Sequence, residues 1–557
     1  MLFRMCLCAI ICLFMSLSAY AQNVNMEYKY WVKFKDKNNS TFSIYDPAAF
    51  LSQKSIDRRA KYGISVEEQD LPVNQQYIDE LVSWKEGITV LHSSKWFNAV
   101  AIQFEDSTKS FLTGIENLAF FEDTVLLATA LKEGDDKPFF TDKYDLELEA
   151  ESIEEFEDSE AQLDFMNGLI LHDNEFKGQG MLIAVIDNGF RNVDTLSAYK
   201  HLYDENHVIA TKDFVELDGD VYNNSSTHGT TILSTCAANL PGEYIGAAPL
   251  ADYIFLISEA PGEQRIEEVN WVVAAEFADS CGADIANTSL GYSDFDGEIF
   301  DYEKSDMDGE TTIIAQAGNI AATKGMLLVT SAGNAGNSEW GIITSPGDAP
   351  GMFTVGGVQS DSTMYAGSSN GPTADLRIKP DVVAPGFGVT YISRTGLIRY
   401  NGNGTSYAAP IIAGLAACLW QTNPEKSPEE VKQAIRESGN LAAQPNFERG
   451  YGIPDFNLAY ELLNGSSLTT GLLNVSDKSE FPSHLNNNQL TYFAEKTASI
   501  KVKLLSNNGK ILGQQTFFAI GGQYNTFNLN LNSISNGLYI LCIEDGLSGK
   551  EILKFIR

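Results

Sequence analysis

Residues 162–465 predict a doubly wound α/β domain on a mostly parallel sheet. Two observations carry that prediction. Short apolar runs recur at 181–186 (MLIAVI), 253–257 (YIFLI), 283–286 and 326–329 (MLLV), and they alternate with helical patterns at 230–239, 265–281 and 311–324. A strand that is apolar on both faces must be covered on both, as in a parallel sheet between helix layers. The chain, at 557 residues, is too long for one ordinary domain, and its flanks read differently.

Residues 1–21 carry Arg4, an apolar run over 6–17 and a small-x-small end, Ala19-Tyr20-Ala21. That is the pattern of a secretory signal, with cleavage expected after Ala21. No later stretch is long and apolar enough to span a bilayer, so the mature protein is expected without a transmembrane segment. Three of the seven cysteines lie in this leader, and Cys236, Cys281, Cys418 and Cys542 lie far apart, without metal-site spacing or a disulfide framework. A formal charge of −36 excludes a nucleic-acid partner, which would need clustered Lys and Arg.

Residues 22–131 read as a small α+β domain, with alternating strands at 28–34 (YKYWVKF) and 96–104 (WFNAVAIQF) and helical character at 47–62 and 107–118. Over 132–161 carboxylates crowd together with little to bury, which predicts a solvated acidic linker. After Asn464-Gly465-Ser466-Ser467 the helical pattern stops. Residues 475–557 then read as short alternating strands with turn signals, a small all-β sandwich module.

In parallel sheets ligands bind beyond the carboxyl ends of the strands. Two of the apolar runs end there in polar residues and glycines, one at Asp187-Asn188-Gly189 and the other at Ser331-Ala332-Gly333-Asn334. A third group of residues points to the same rim. Gly404-Thr405-Ser406 precedes an apolar run over 408–420, which puts a hydroxyl at the N-terminus of a buried helix, where the dipole favours developing negative charge. Pro410 cannot bond back to the Ser406 carbonyl, so an irregular first turn is expected. On local sequence alone the hydroxyl reads as an N-cap and nothing more.

A serine becomes a nucleophile only when a base takes its proton, and histidine suits that task near neutral pH. Of the six histidines, His92 and His484 lie outside the α/β region, His172 precedes its first strand, and His201 and His207 flank a tyrosine-rich stretch. His228, in Ser226-Thr227-His228-Gly229-Thr230, opens a buried helix and is the favoured base. Asp187 ends the first strand and is able to face it, although Asp-Asn-Gly also reads as a turn.

Taken together, Asp187 in Val-Ile-Asp-Asn-Gly, His228 in Thr-His-Gly-Thr, Asn334 in Ser-Ala-Gly-Asn and Ser406 in Gly-Thr-Ser-Tyr-Ala-Ala-Pro resemble the subtilisin family of serine endopeptidases, in that family's order. The resemblance implies a subtilisin-like fold acting on protein or peptide substrates. Ser406 is then the nucleophile, His228 the proton shuttle, Asp187 its orienting carboxylate and Asn334 an oxyanion donor. It also implies a substrate-binding edge at Ser289, Leu290 and Gly291, with Ala332 and Gly333 walling a primary pocket that has room for a large apolar side chain. Asn188 and Tyr407 stand where many relatives have Thr or Ser and Met. The chemistry needs no cofactor. Family members often bind calcium, for which Asp294, Asp296, Asp301, Asp306 and Asp308 in the insert 292–310 are candidate ligands, without calcium-loop spacing.

By the same resemblance the N-terminal domain is an inhibitory prodomain, released by cleavage between Leu131 and Gln162. The C-terminal module resembles the sorting domain of type IX secretion, which implies secretion machinery as a partner and a secreted or outer-surface location, reached through the periplasm. The motifs carrying this are Asn508-Gly509-Lys510, the run 531–540 and the closing Lys-Phe-Ile, with Phe481-Pro482-Ser483 in place of the usual Pro-Asn-Pro opening. A monomer is expected. Two other readings stay open: a surface binding or adhesion protein on the same fold without turnover, and a lipase or esterase, against which the missing Gly-x-Ser-x-Gly elbow argues.

Overall fold

The structure, a computed structural model, describes residues 26–105, 114–131, 156, 158–224, 226–260, 262–468 and, beyond them, 484–486, 489–494, 496–506, 511–521, 523–529, 531, 538–544 and 550–556. The leader, the stretch 132–155, and the motif residues 481–483 and 507–510 lie outside the described residues. The chain divides into two compact units, with the boundary after Leu468.

The N-terminal domain is a four-stranded antiparallel sheet of β1 (Met26–Phe34), β2 (Thr89–Ser94), β3 (Ala99–Glu105) and β4 (Phe121–Leu131) in the order β2-β3-β1-β4. It carries helices α1 (Gln53–Lys61), capped by the Ser52 hydroxyl, and α2 (Gln75–Trp84), capped by the Asn74 side chain. The period-2 pattern of β1 explains how the sheet is used. Tyr28, Tyr30, Val32 and Phe34 point into the domain's own core beneath Ile78 and Leu81. Trp31, with Ala99 and Ala101 of β3, joins the core of the α/β domain instead.

The strand expected at 96–104 starts only at Ala99. Asn98 adopts φ 50°, a left-handed conformation incompatible with a strand, and its side-chain amide donates to Phe34 O and Asp36 O. The helix expected at 107–118 is, in its described part, one 3₁₀ turn at Ile115–Asn117. The last residues of the expected linker are already part of the α/β domain. Phe156 is buried and donates its N–H to Gly388 O, and Ser159, also buried, accepts from Ile245 N.

The α/β domain is built on seven parallel strands: β5 (Leu182–Asp187), β6 (Val208–Asp213), β7 (Asp252–Ile257), β8 (Ile285–Thr288), β9 (Leu327–Ser331), β10 (Met352–Val358) and β11 (Val382–Pro385), in the order β11-β10-β9-β8-β5-β7-β6. Ile183 and Val185 of β5 face α3 (His228–Ala237) and α6 (Thr405–Gln421) in one core. Leu182, Ala184 and Ile186 face α4 (Ile266–Cys281) and α5 (Ile313–Thr323) in the other. This alternation is the doubly wound arrangement expected of two-sided apolar strands. Strands β6, β10 and β11 are not legible in the sequence: β6 is a half-exposed edge, β10 contains Gly356-Gly357, and β11 has four residues and ends in Pro385.

Among the described residues the second unit consists of antiparallel strands. Its sheets are a three-stranded one over 484–528 and a four-stranded one over 498–556, with Leu490, Ile500, Val502, Leu541 and Ile543 in its core.

Candidate active site

Strand β5 delivers Asp187, fully buried, to the carboxyl end of the sheet. Its Oδ1 lies 2.8 Å from His228 Nδ1 and also accepts the Asn188 N–H at 2.8 Å. An ionised carboxylate can only accept, so the contact assigns the proton to Nδ1 and leaves the lone pair on Nε2. The close approach depends on Gly229. A Cβ there would collide with Gly189 O and sit 3.2 Å from Asp187 Cβ, so no larger residue lets the first turn of α3 rest on the β5 turn. Asn188 adds a long contact from its Oδ1 to the Gly229 N–H, at 3.4 Å.

Ser406 is the second residue of α6 and only 4% exposed, and α6 packs against α3. Asn334, after β9, accepts the Thr405 N–H on Oδ1 at 2.9 Å, with the Thr405 hydroxyl at 3.2 Å. That bond assigns Oδ1 as the acceptor, and the amide as a whole lies against Gly404, where a Cβ would stand 3.4 Å from Nδ2 and 3.6 Å from Oδ1. Gly404 has φ 142°, and with no side chain it leaves this space to the amide.

Ser289 follows β8, and its hydroxyl donates to Ser406 O at 2.9 Å. Leu290 and Ala332 are buried, and Gly291 and Gly333 face each other across Thr344. A Cβ on Gly333 would stand 2.6 Å from Thr344 Oγ1, and one on Gly291 would clash with the same atom. Thr344 was not singled out in the sequence; it is buried, and its hydroxyl has no hydrogen-bond partner among the described residues. The Ile-Ile-Thr-Ser context (342–345) carries no local signal for it, because only the fold brings it between the two glycines.

The remaining histidines have other surroundings. His172 and His201 bond the carbonyls of Ala247 and Pro249 at 2.8 and 2.9 Å, and His207 pairs with Asp252 at 2.8 Å. His92 is pushed down to about 4 by burial. Cys236 and Cys418 are free and buried, and burial pushes the Cys236 thiol up to about 12.

The carboxylates of the acidic insert accept backbone N–H groups, all in local turns except Asp296, which reaches back to Glu263. Asp301 accepts Phe295 N, Asp306 accepts Glu303 N, Asp308 accepts Glu310 N and Thr311 N, and Asp296 accepts Glu263 N. They do not converge, and no group of three metal-ligating side chains occurs among the described residues. Beneath the insert, burial raises Glu268 to about 7 although the Tyr302 hydroxyl donates to it at 2.7 Å.

Besides the apolar contact through Trp31, Ala99 and Ala101, the N-terminal domain is anchored on α4 through charged groups. Arg59 bonds both oxygens of Asp279, at 2.7 and 3.0 Å, and also Asp70 at 3.0 Å. Arg58 and Lys95 reach the same Asp279. Burial by itself would raise this carboxyl, but Lys95, Arg58 and Arg59 together hold it well below the usual carboxylate range. Glu276 receives the Ser94 hydroxyl at 2.6 Å and the N–H groups of Lys95 and Trp96, each at 2.9 Å.

Comparison with known proteins adds the family to this geometry: residues 178–453 match the subtilase family, peptidase S8. Residues 178–453 are a subtilase domain. Ahead of it, residues 29–138 match the peptidase S8 propeptide domain of Bacteroidota. The subtilase region is similar to serine protease AprX of Bacillus subtilis, at 31% identity over 287 residues, 46% of this chain and 61% of AprX. It is also similar to subtilisin E of Bacillus subtilis, at 27% over 290 residues, 51% of this chain and 66% of that protein. The chain thus spans less than two thirds of either relative. Among solved structures, MycP1 of Mycobacterium smegmatis aligns at 20% identity and a TM-score of 0.43, over 54% of this chain and 83% of MycP1.

Proposed function

We propose that the protein is a serine endopeptidase that hydrolyses peptide bonds through an acyl-enzyme, with Ser406 as nucleophile, His228 as general base and Asp187 as its orienting partner. The observation carrying this reading is the 2.8 Å contact between His228 Nδ1 and Asp187 Oδ1, which presents Nε2 as the basic nitrogen. In the first half-reaction Ser406 Oγ attacks the peptide carbonyl as His228 Nε2 takes its proton. Collapse of the tetrahedral oxyanion breaks the C–N bond, and the imidazolium returns the proton to the leaving amine. In the second half-reaction water, deprotonated by the same nitrogen, attacks the ester and releases the acid and Ser406. The Asn334 amide, oriented by Thr405, supplies a hydrogen bond to each oxyanion.

The substrate backbone pairs with Ser289, Leu290 and Gly291, and Thr344 stands between Gly291 of that edge and Gly333 of the pocket wall. The match of residues 29–138 to a propeptide domain supports synthesis as a zymogen. The packing of Phe156 and Ser159 within the subtilase domain supports a maturation cut ahead of them, inside the expected window between Leu131 and Gln162. An N-terminal secretory leader and a C-terminal sorting module for type IX secretion complete the reading. They place the mature protease outside the cell or on its outer surface.

The test is labelling by a fluorophosphonate probe. The processed protein is expected to label at Ser406 and cleave casein, and Ser406→Ala is expected to do neither. A folded, processed protein that does not label supports a binding protein on this fold instead.

A further inference from the structure

In an α-helix each carbonyl accepts the N–H four residues on, and for Ser406 that residue is Pro410, which has no N–H. The Ser406 carbonyl therefore lacks its helical donor at a place where Ser406, Ala409 and Pro410 are all buried. An orphaned acceptor in such a setting needs a partner from elsewhere. Ser289 provides it, with its Oγ 2.9 Å from Ser406 O. Ser289 is itself 1% exposed, and its hydroxyl oxygen receives the Asn287 side-chain amide at 3.2 Å. With an amide donating to the oxygen and a carbonyl able only to accept, the single hydroxyl proton points at Ser406.

We propose that Ser289 is a positioning residue whose hydroxyl replaces the helical donor removed by Pro410 and so holds the backbone of Ser406 in place. The inference rests on the reading of Ser406 as nucleophile. Ser289 also opens the edge offered to substrate backbone, so one side chain ties the nucleophile's main chain to the strand that sets the substrate's register. The proline makes this tie necessary, because a helix with a full set of N–H donors would hold its first turn without help from the residue that follows β8. Displacing a nucleophile by about 1 Å lowers turnover by as much as a hundredfold.

The experiment is a double-mutant cycle on a peptidyl p-nitroanilide, with Ser289→Ala, Pro410→Ala and the pair made in the full chain. Each processed protein is titrated with fluorophosphonate, so that kcat refers to intact sites. Ser289→Ala is expected to lower kcat about tenfold or more, with KM within about twofold. Pro410→Ala restores an N–H opposite the Ser406 carbonyl. In that background the same Ser289→Ala change is expected to lower kcat by no more than about threefold. An equal loss in both backgrounds, an unchanged kcat in Ser289→Ala, or a loss confined to the titratable fraction would each overturn the proposal. The Ser406 assignment is judged separately, on the unsubstituted protein: labelling there with an unchanged Ser289→Ala sinks only the positioning role, and absence of labelling sinks both.

Discussion

Thr405 donates its backbone N–H to Asn334 Oδ1 at 2.9 Å, so the residue before the proposed nucleophile dictates which way the neighbouring amide points. Asn334→Asp keeps the acceptor and loses both donors. It is expected to fold normally, bind substrate with similar KM and lose roughly a hundred- to a thousandfold in kcat. Kinetics on a peptide substrate decide the matter, and a kcat within about threefold of the parent would remove Asn334 from the oxyanion site.

Asp187→Asn tests the pairing at the end of β5. The amide can turn an N–H towards Nδ1 and so stabilise the wrong tautomer of His228, and a fall in kcat on the order of ten-thousandfold is expected. Loss of the carboxylate should also alter the pH dependence of whatever activity survives. A variant with parental kcat would separate Asp187 from the chemistry.

Asp279→Ala removes the carboxylate on which Arg58, Arg59 and Lys95 converge. Three buried cations then lose their shared partner, and the docked N-terminal domain should be destabilised by about 3–5 kcal/mol. The pH dependence has a definite sign. A carboxyl depressed in the folded state contributes stability above its unfolded pKa and loses it as pH falls through its lower folded value. The difference between parent and variant should therefore be constant from about pH 5 to 9 and shrink only in strong acid. Denaturant melts of the Ser406→Ala zymogen measure it, and identical midpoints would refute the anchor.

Glu268 behaves in the opposite way. Its pKa, raised by burial from 4.5 to about 7, makes the folded state hold a proton that the unfolded chain has released. The stability it contributes is complete below pH 4.5 and is lost as pH rises through about 7. Glu268→Gln should flatten that decline and leave the variant more stable than the parent at pH 9, by on the order of 3 kcal/mol. Parallel stability curves for the two proteins between pH 5 and 9 would show that Glu268 is charged throughout.

Much of the fold could be read from the chain because its strongest patterns are local. The apolar runs of β5, β7 and β9, the helical stretch of α4 and the alternation in β1 each declare their structure within a few residues. The same holds for the residues proposed for catalysis, which stand at the ends of such elements with glycine beside them. Where reading stopped short, the deciding contact was remote. Asn98 delays the start of a strand pattern because its amide is used by Phe34 and Asp36, and β11 is too short to show any periodicity.

By itself the sequence determined the order and kind of the elements and the residues that end them, since periodicity, glycine and proline act over one or two turns. Tertiary structure decided which side chains meet. The hydroxyl of Ser289 finds the carbonyl that Pro410 leaves open, Thr344 rises between two glycines that follow separate strands, and Arg58 and Arg59 bury themselves on Asp279 more than two hundred residues away. Hydrogen bonds and ion pairs of this kind depend on separations of about 3 Å between distant parts of the chain, and only the folded packing of sheet and helices sets such distances.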